Sequence, residues 1–566
     1  MRGATTIERH SSQTAKRIRS GARVRRLRLP GHLETSMNAY HRRAMEWLIA
    51  VTIPLIMLGC GGSVHSPAPA DPSVVATEQG QVKGIVANGV RAFLGLRYAA
   101  PPTGALRWKP PAPAAAYASS PYDASHVGSV CVQGTAAAPT GSEDCLFVNV
   151  YVPGTTAGTT ALPVLFWIHG GGFILGSGAA TDGSALALKA NAIVVTINYR
   201  LNALGFLAHP ALAAEDPNGA TGDYGIMDQT AALAWVQKNI AAFGGDPTNV
   251  TIFGDSAGGH SVYVQLASPG SAGLFAKAVA QSGGFSRQQE SLQQAETDGV
   301  GYAKTWGCTD PSSAVCLRNL PASALLQGNP VAWYATIDGK VLPGSTSAAF
   351  ASGQYNRVPV MSGFTEDEGT YFVAAAFDAQ GKPVTASGYE AAIQGFLGVS
   401  GAATAALYPA NQFSSPGQAL AKATGDYLFT CGEMQDADNL AKYSPAVYMY
   451  RFSDPAPYSV HSLISVLPPT AMNYGAFHSS DLDYWWQLIP SPTANQATLS
   501  GAMTAALAGF AHTGNPNSGS TVASWPLYTP ATRRTLDFGY PVSNTYDAYT
   551  AHQCSYWYGQ APSHGL

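Results

Sequence analysis

The chain has 566 residues, 46% apolar and only 11% charged, with 60 Gly and 7 Cys. That charge content lies well below the roughly 25% usual in soluble proteins, while the apolar fraction is ample for a large core, which excludes disorder and coiled coil as whole-chain descriptions. Its 31 basic and 34 acidic residues leave a net charge of -3, a near-balance that argues against a nucleic-acid partner.

The first 59 residues stand apart, with 11 basic residues against three acidic ones, Glu8, Glu34 and Glu46. Behind Arg42-Arg43, an apolar run of twelve residues from Trp47 to Leu58 precedes Gly59-Cys60-Gly61-Gly62. This is the basic, apolar, small-residue order of a secretory signal peptide. The run is too short to cross a bilayer core, and Pro54 weakens a helix further. Leu58-Gly59-Cys60 resembles a bacterial lipobox, whose Cys is lipidated and becomes the mature N-terminus, although Met57 replaces the usual Leu. The competing expectation is cleavage after Ala68-Pro69-Ala70 and release of a soluble protein. Residues before Met37 read as an over-extended start. The expected organisation is extension and signal over 1–59, a flexible Pro/Ala/Ser tether over 60–76, and one globular body over 77–566. With maturation at Cys60, the remaining 507 residues carry a net charge of -11, which favours neutral over anionic substrates.

No period of 20–50 residues repeats beyond this segment. Apolar β-branched runs alternate with amphipathic stretches instead. Leu162–Ile168, Ala192–Asn198 and Asn249–Gly254 read as buried strands, and Met227, Ala231, Ala234, Trp235 and Ile240 recur at helical spacing. This order predicts a mostly parallel sheet with helices on both faces.

The third strand ends in Gly254-Asp255-Ser256-Ala257-Gly258. G-x-S-x-G makes a sharp strand-to-helix turn that raises the Ser side chain above a sheet. Alone the pattern is weak, but here a strand precedes it and a small-residue helix, Ala257 to Leu266, follows. A nucleophilic Ser also needs donors for the oxyanion formed when it attacks a carbonyl. His169-Gly170-Gly171-Gly172-Phe173, directly after a buried strand, meets that need. The expected hole is the N–H groups of Gly171, Gly172 and Ala257.

Together these residues resemble the type-B carboxylesterases, relatives of cholinesterases and fungal lipases within the α/β-hydrolase superfamily. The resemblance runs from about Thr77 to Trp557. It includes Phe93-Leu-Gly-Leu96 with Tyr98, Ser142-Glu-Asp-Cys-Leu146, His169–Phe173, Asn198-Tyr-Arg-Leu201, Asp228-Gln229, Phe243-Gly-Gly-Asp-Pro247, Gln281-Ser-Gly283 and Thr513-Gly-Asn-Pro516. It implies an α/β-hydrolase fold with insertions around an active-site gorge, no cofactor, and the catalytic order Ser, acid, His. In Glu366-Asp-Glu-Gly369 the acid before Gly is Glu368, leaving Glu366 and Asp367 as solvated loop charges. Phe477-His-Ser-Ser-Asp481 selects His478, leaving His461, His512, His552 and His564 to surface or packing duty. Ser282 resembles a hydroxyl that supports the acid, and Asp255 stands where many relatives have Glu.

The resemblance also pairs Cys131 with Cys145, Cys308 with Cys316 and Cys431 with Cys554. Setting Cys60 aside as an anchor leaves an even six, suited to an oxidising compartment. No C-x-x-C or H-E-x-x-H pattern points to a metal, and the Gly-rich loop lacks the Lys-Ser/Thr ending of a phosphate cradle. The segment between Cys131 and Cys145 contains no aromatic residue, so choline esters are poor candidates. Tyr484, Trp485 and Trp486 either line an apolar pocket or pack in the core.

The expected activity is serine carboxylic-ester hydrolysis of neutral, moderately apolar esters in the cell envelope, the periplasm or the medium. Lipase, sterol-esterase or polyesterase specialisation is the near alternative, and a non-catalytic adhesion relative the distant one.

Overall fold

A computed structural model describes residues 71–154, 160–219, 221–327, 333–457, 471–519 and 524–560. The signal segment, Cys60, His461 and His564 lie outside the described residues. Within the described residues, Val74–Thr77 pairs antiparallel with Gly80–Lys83 across the expected boundary at residue 77.

An eleven-stranded sheet organises the body. In chain order its strands are β1 (Ile85–Ala87), β2 (Val90–Arg97), β3 (Phe147–Pro153), β4 (Leu162–Ile168), β5 (Ile193–Ile197), β6 (Gly245–Asp255), β7 (Lys277–Gln281), β8 (Val360–Thr365), β9 (Val447–Phe452), β10 (Thr535–Phe538) and β11 (Ser543–Tyr546). Their spatial order is β11-β10-β9-β8-β7-β6-β4-β5-β3-β2-β1. The run from β10 to β5 is parallel, and the outer strands pair antiparallel. Central strands are buried on both faces, which is why β5, β7 and β8 carry no exposed residue.

Alternation along β4 feeds two cores. Val164, Phe166 and Ile168 join the larger one with the helices Tyr224–Asn239 and Ala257–Ala267, whereas Leu165 and Trp167 join the other with the helix Ala494–Thr513. Tyr484, Trp485 and Trp486 belong to that second core, where Trp486 meets Trp167 edge-on at 5.0 Å. They are core residues rather than a pocket wall.

The helix expected from Met227 begins at Tyr224, and its inward face matches the apolar spacing only in part, since Trp235 and the adjoining Ile240 are buried as expected. Ile226, Asp228, Gln229, Leu233 and Val236 are buried, while Met227, Ala231 and Ala234 are only half-buried. Polar groups on the core face cause the difference. Asp228 accepts Arg200 Nε and Nη2 at 2.7 Å each, and Gln229 donates to Ser261 at 3.0 Å. Such a buried pair is tolerated because its fork geometry satisfies both partners.

Three disulfides, Cys131–Cys145, Cys308–Cys316 and Cys431–Cys554, match the expected pairing. They point to an exported protein.

Candidate active site

Strands β4 and β6 lie in parallel register, with Phe253 opposite Trp167 and Gly254 opposite Ile168. The two turns leaving their carboxyl ends are therefore neighbours, the usual place for a site in an open α/β sheet. Ser256 sits at the top of the second turn with φ +54° and ψ −122°, a strained conformation for a non-glycine residue. Gly258 permits it, because a Cβ there would fall 2.0 Å from the Ile168 carbonyl oxygen. Gly170 lets the first turn approach the second, because a Cβ there would fall 2.7 Å from the Asp255 carbonyl oxygen and 3.2 Å from Ser256 Cβ. The N–H groups of Gly171 and Gly172 donate to no other group among the described residues. Ala257 opens its helix, so its N–H has no intrahelical acceptor.

Glu368 follows β8, two strands away from β6. His478 lies in the connection between β9 and β10, and a bridge between Asp367 and Phe477 draws that connection to the acid turn. His478 Nε2 is 2.8 Å from Ser256 Oγ, and its Nδ1 is 2.5 Å from Glu368 Oε2. The other carboxylate oxygen, Oε1, accepts Ser282 Oγ–H at 2.6 Å and Thr365 N–H at 2.8 Å. Glu368 and His478 are fully buried, while Ser256 is partly exposed. The serine is thus the member of the chain that a substrate can reach.

Burial pulls the His478 pKa down, but the Glu368 carboxylate beside it outweighs burial with help from Asp255 and Asp481, and the net direction is upward. His169 and His260 behave oppositely, since burial holds each at about 4. Both are neutral at pH 7. Asp255 accepts Ser479 Oγ–H at 2.5 Å, and burial raises its carboxyl above the usual range.

Two expectations about acids are corrected. Asp367 is not a solvated charge, because its Oδ2 accepts Ala476 N–H at 2.9 Å and so aligns the His478 segment. Glu366 is held by Lys422 and Arg451 at 2.8 Å each. His552 joins that cluster, with Nδ1 2.5 Å from Asp426 Oδ1 and Nε2 2.9 Å from Tyr546 Oη. It is a second buried His–carboxylate pair rather than simple packing, and it does not include Ser256. His512 holds the Ala190 carbonyl at 3.0 Å, a packing role as expected.

Phe372 and Phe429 flank His478 with centroids 5.1 and 4.6 Å away. Ile174 and Leu175, each 41% exposed, follow the glycine turn.

The sheet order, the turn after β6 and the Ser–His–Glu chain define an α/β-hydrolase. The sequence profile of the carboxylesterase family matches residues 71–557. The chain is 36% identical over 498 residues to the fumonisin B1 esterase of Sphingopyxis macrogoltabida, covering 83% of this chain and 88% of that protein. It is 34% identical over 490 residues to the para-nitrobenzyl esterase of Bacillus subtilis, covering 82% and 94%. A solved carboxylesterase of Geobacillus stearothermophilus superposes with TM-score 0.72 at 30% identity, over 85% of this chain and 99% of that one. This chain belongs to the carboxylesterase family, and its reaction class is carboxylic ester hydrolysis.

Proposed function

We propose that the protein is a serine esterase that hydrolyses neutral, moderately apolar esters through an acyl-enzyme. The observation that carries this reading is the continuous hydrogen-bonded chain from Ser256 Oγ through His478 to Glu368. Ser256 Oγ attacks the ester carbonyl while His478 Nε2 takes its proton, and Glu368 holds the imidazole tautomer and stabilises the imidazolium. The N–H groups of Gly171, Gly172 and Ala257 stabilise the oxyanion. His478 returns the proton to the leaving alcohol. A water then attacks the acyl carbonyl, gives its proton to His478, and the acid is released with Ser256 restored.

The phenyl rings beside His478 and the exposed Ile174 and Leu175 support an apolar acyl or alcohol group. The relatives are named for para-nitrobenzyl, fumonisin B1, pyrethroid and acylcarnitine substrates, which supports the ester class rather than one ester. A hydrolysis screen of p-nitrophenyl, aryl, triglyceride and polymeric esters tests the reading, with Ser256→Ala losing at least about 10³-fold in turnover. Maximal rates on short soluble esters support it. Preference for long-chain or polymeric esters with interfacial activation would replace it by a lipase or polyesterase.

Export places the enzyme in an oxidising compartment. Cys60, the cysteine left outside the three disulfides, is proposed as its lipid anchor. Cys60→Ser is expected to release the protein from membranes, and unchanged partitioning would favour cleavage after Ala70.

A further inference from the structure

The loop closed by Cys131–Cys145 contains a hairpin, Gln133–Thr135 paired with Ala138–Thr140. Gln133, beside the disulfide, turns its side-chain amide onto Gly176. Its Oε1 accepts Gly176 N–H at 2.9 Å, and its Nε2–H groups donate to the carbonyls of Gly176 and Cys131, both at 3.0 Å. One amide thereby satisfies both backbone groups of a single residue, as a neighbouring strand would.

Gly176 ends the segment that opens with Gly170. Inside it, the Gly171 carbonyl accepts the N–H groups of Ile174 and Leu175 at 3.0 and 3.1 Å, so the segment is a closed turn. From outside, it is also held at Asn202, whose N–H donates to the Phe173 carbonyl at 2.8 Å and whose Nδ2 donates to the Ile174 carbonyl at 3.1 Å. Gly176 has φ +112°, and a Cβ there would fall 2.4 Å from His169 Nδ1. The clamped end therefore packs directly on the residue that leads into the glycine turn.

We infer that Gln133 is a positioning residue for the oxyanion donors, its amide fixing Gly176 and tying the Gly171–Gly172 turn to the disulfide-closed hairpin. This rests on the serine-esterase reading. Backbone donors stabilise a transition state because they are already aimed where charge develops. Deleting one donor outright costs about 10²- to 10³-fold. Loosening the loop that carries two of them leaves both present but mobile, so the loss is smaller, about tenfold in kcat.

The test compares Gln133→Met, which keeps length and loses all three bonds, with Gln133→Glu, which keeps the acceptor but sets a carboxylate against two carbonyls. Each is measured with p-nitrophenyl butyrate, with a trifluoromethyl ketone whose hemiketal oxyanion occupies the donors, and with the matching methyl ketone. The expected result is a fall of about tenfold in kcat and in trifluoromethyl-ketone affinity, with KM and methyl-ketone affinity within about twofold. Gln133→Glu should be at least as damaging. Parent-like kcat and analogue affinity in both variants would overturn the inference, as would losses spread equally over all four quantities in step with a lowered Tm. If one variant does not fold, the other carries the same comparison. Ser256→Ala runs alongside: near-parent activity there sinks the serine reading itself, whereas a loss of at least about 10³-fold in Ser256→Ala with normal Gln133 variants sinks only the clamp.

Discussion

Ser282→Ala isolates one bond behind the imidazole. Glu368 Oε1 has two donors, Ser282 Oγ–H at 2.6 Å and Thr365 N–H at 2.8 Å, while Oε2 faces His478. Glu368 and Ser282 are both fully buried, so solvent does not directly replace the lost hydroxyl. A hydrogen bond to a charged group contributes about 1.5–3 kcal/mol. Only the part that keeps the carboxylate aimed at His478 Nδ1 appears in the rate, and each ~1.4 kcal/mol is tenfold. The expected loss in kcat/KM is therefore about tenfold, with about a hundredfold as its ceiling. With one donor fewer, more negative charge remains on the carboxylate and the imidazolium is further favoured. The acidic limb of kcat/KM should then move to higher pH. The assay is a pH series of kcat/KM with a soluble p-nitrophenyl ester, with Tm checked for folding. Unchanged kcat/KM and an unmoved limb in a folded variant would refute the reasoning.

In the parent enzyme, activity should fall as acid protonates His478. Because Glu368 and its neighbours raise that pKa, the limb should lie above the ordinary imidazole value of about 6.5; a limb near 4 would point instead to His169 or His260. Glu368→Gln should cost about 10³- to 10⁴-fold in kcat at near-native Tm, since the amide leaves the imidazolium uncompensated. Gly258→Ala places a methyl 2.0 Å from a backbone oxygen, so soluble active enzyme should be lost, and parent-like expression and activity would contradict the packing of the two turns. Replacing Cys431 and Cys554 by Ser opens a closure spanning a sequence separation of 123, and denaturant unfolding should report a loss of up to about 5 kcal/mol.

Much of this site was legible because its chemistry coincides with backbone demands. Gly170 and Gly258 are required by contact between two turns, so the motifs that mark Ser256 and the glycine turn also mark how β4 and β6 end. Disulfide pairing and the Ser282–Glu368 contact followed from family resemblance. Apolar counting found the helix Tyr224–Asn239 and its buried Trp235 but missed that Asp228 and Gln229 also face the core. Glu366 and Asp367 look like surface charges until Lys422, Arg451 and the Ala476 amide arrive from distant segments. Gln133 left no signal, since a glutamine that binds backbone across a loop is indistinguishable in sequence from an exposed one.

The central claim is that Ser256 is the residue acylated by substrate. Treatment with a p-nitrophenyl phosphonate, followed by intact-mass measurement and peptide mapping, tests it most directly. One adduct per chain is predicted, on the peptide containing Ser256, with activity lost in proportion and no labelling of Ser256→Ala. A stoichiometric adduct on any other residue, or full activity in a chain labelled at Ser256, would contradict the account.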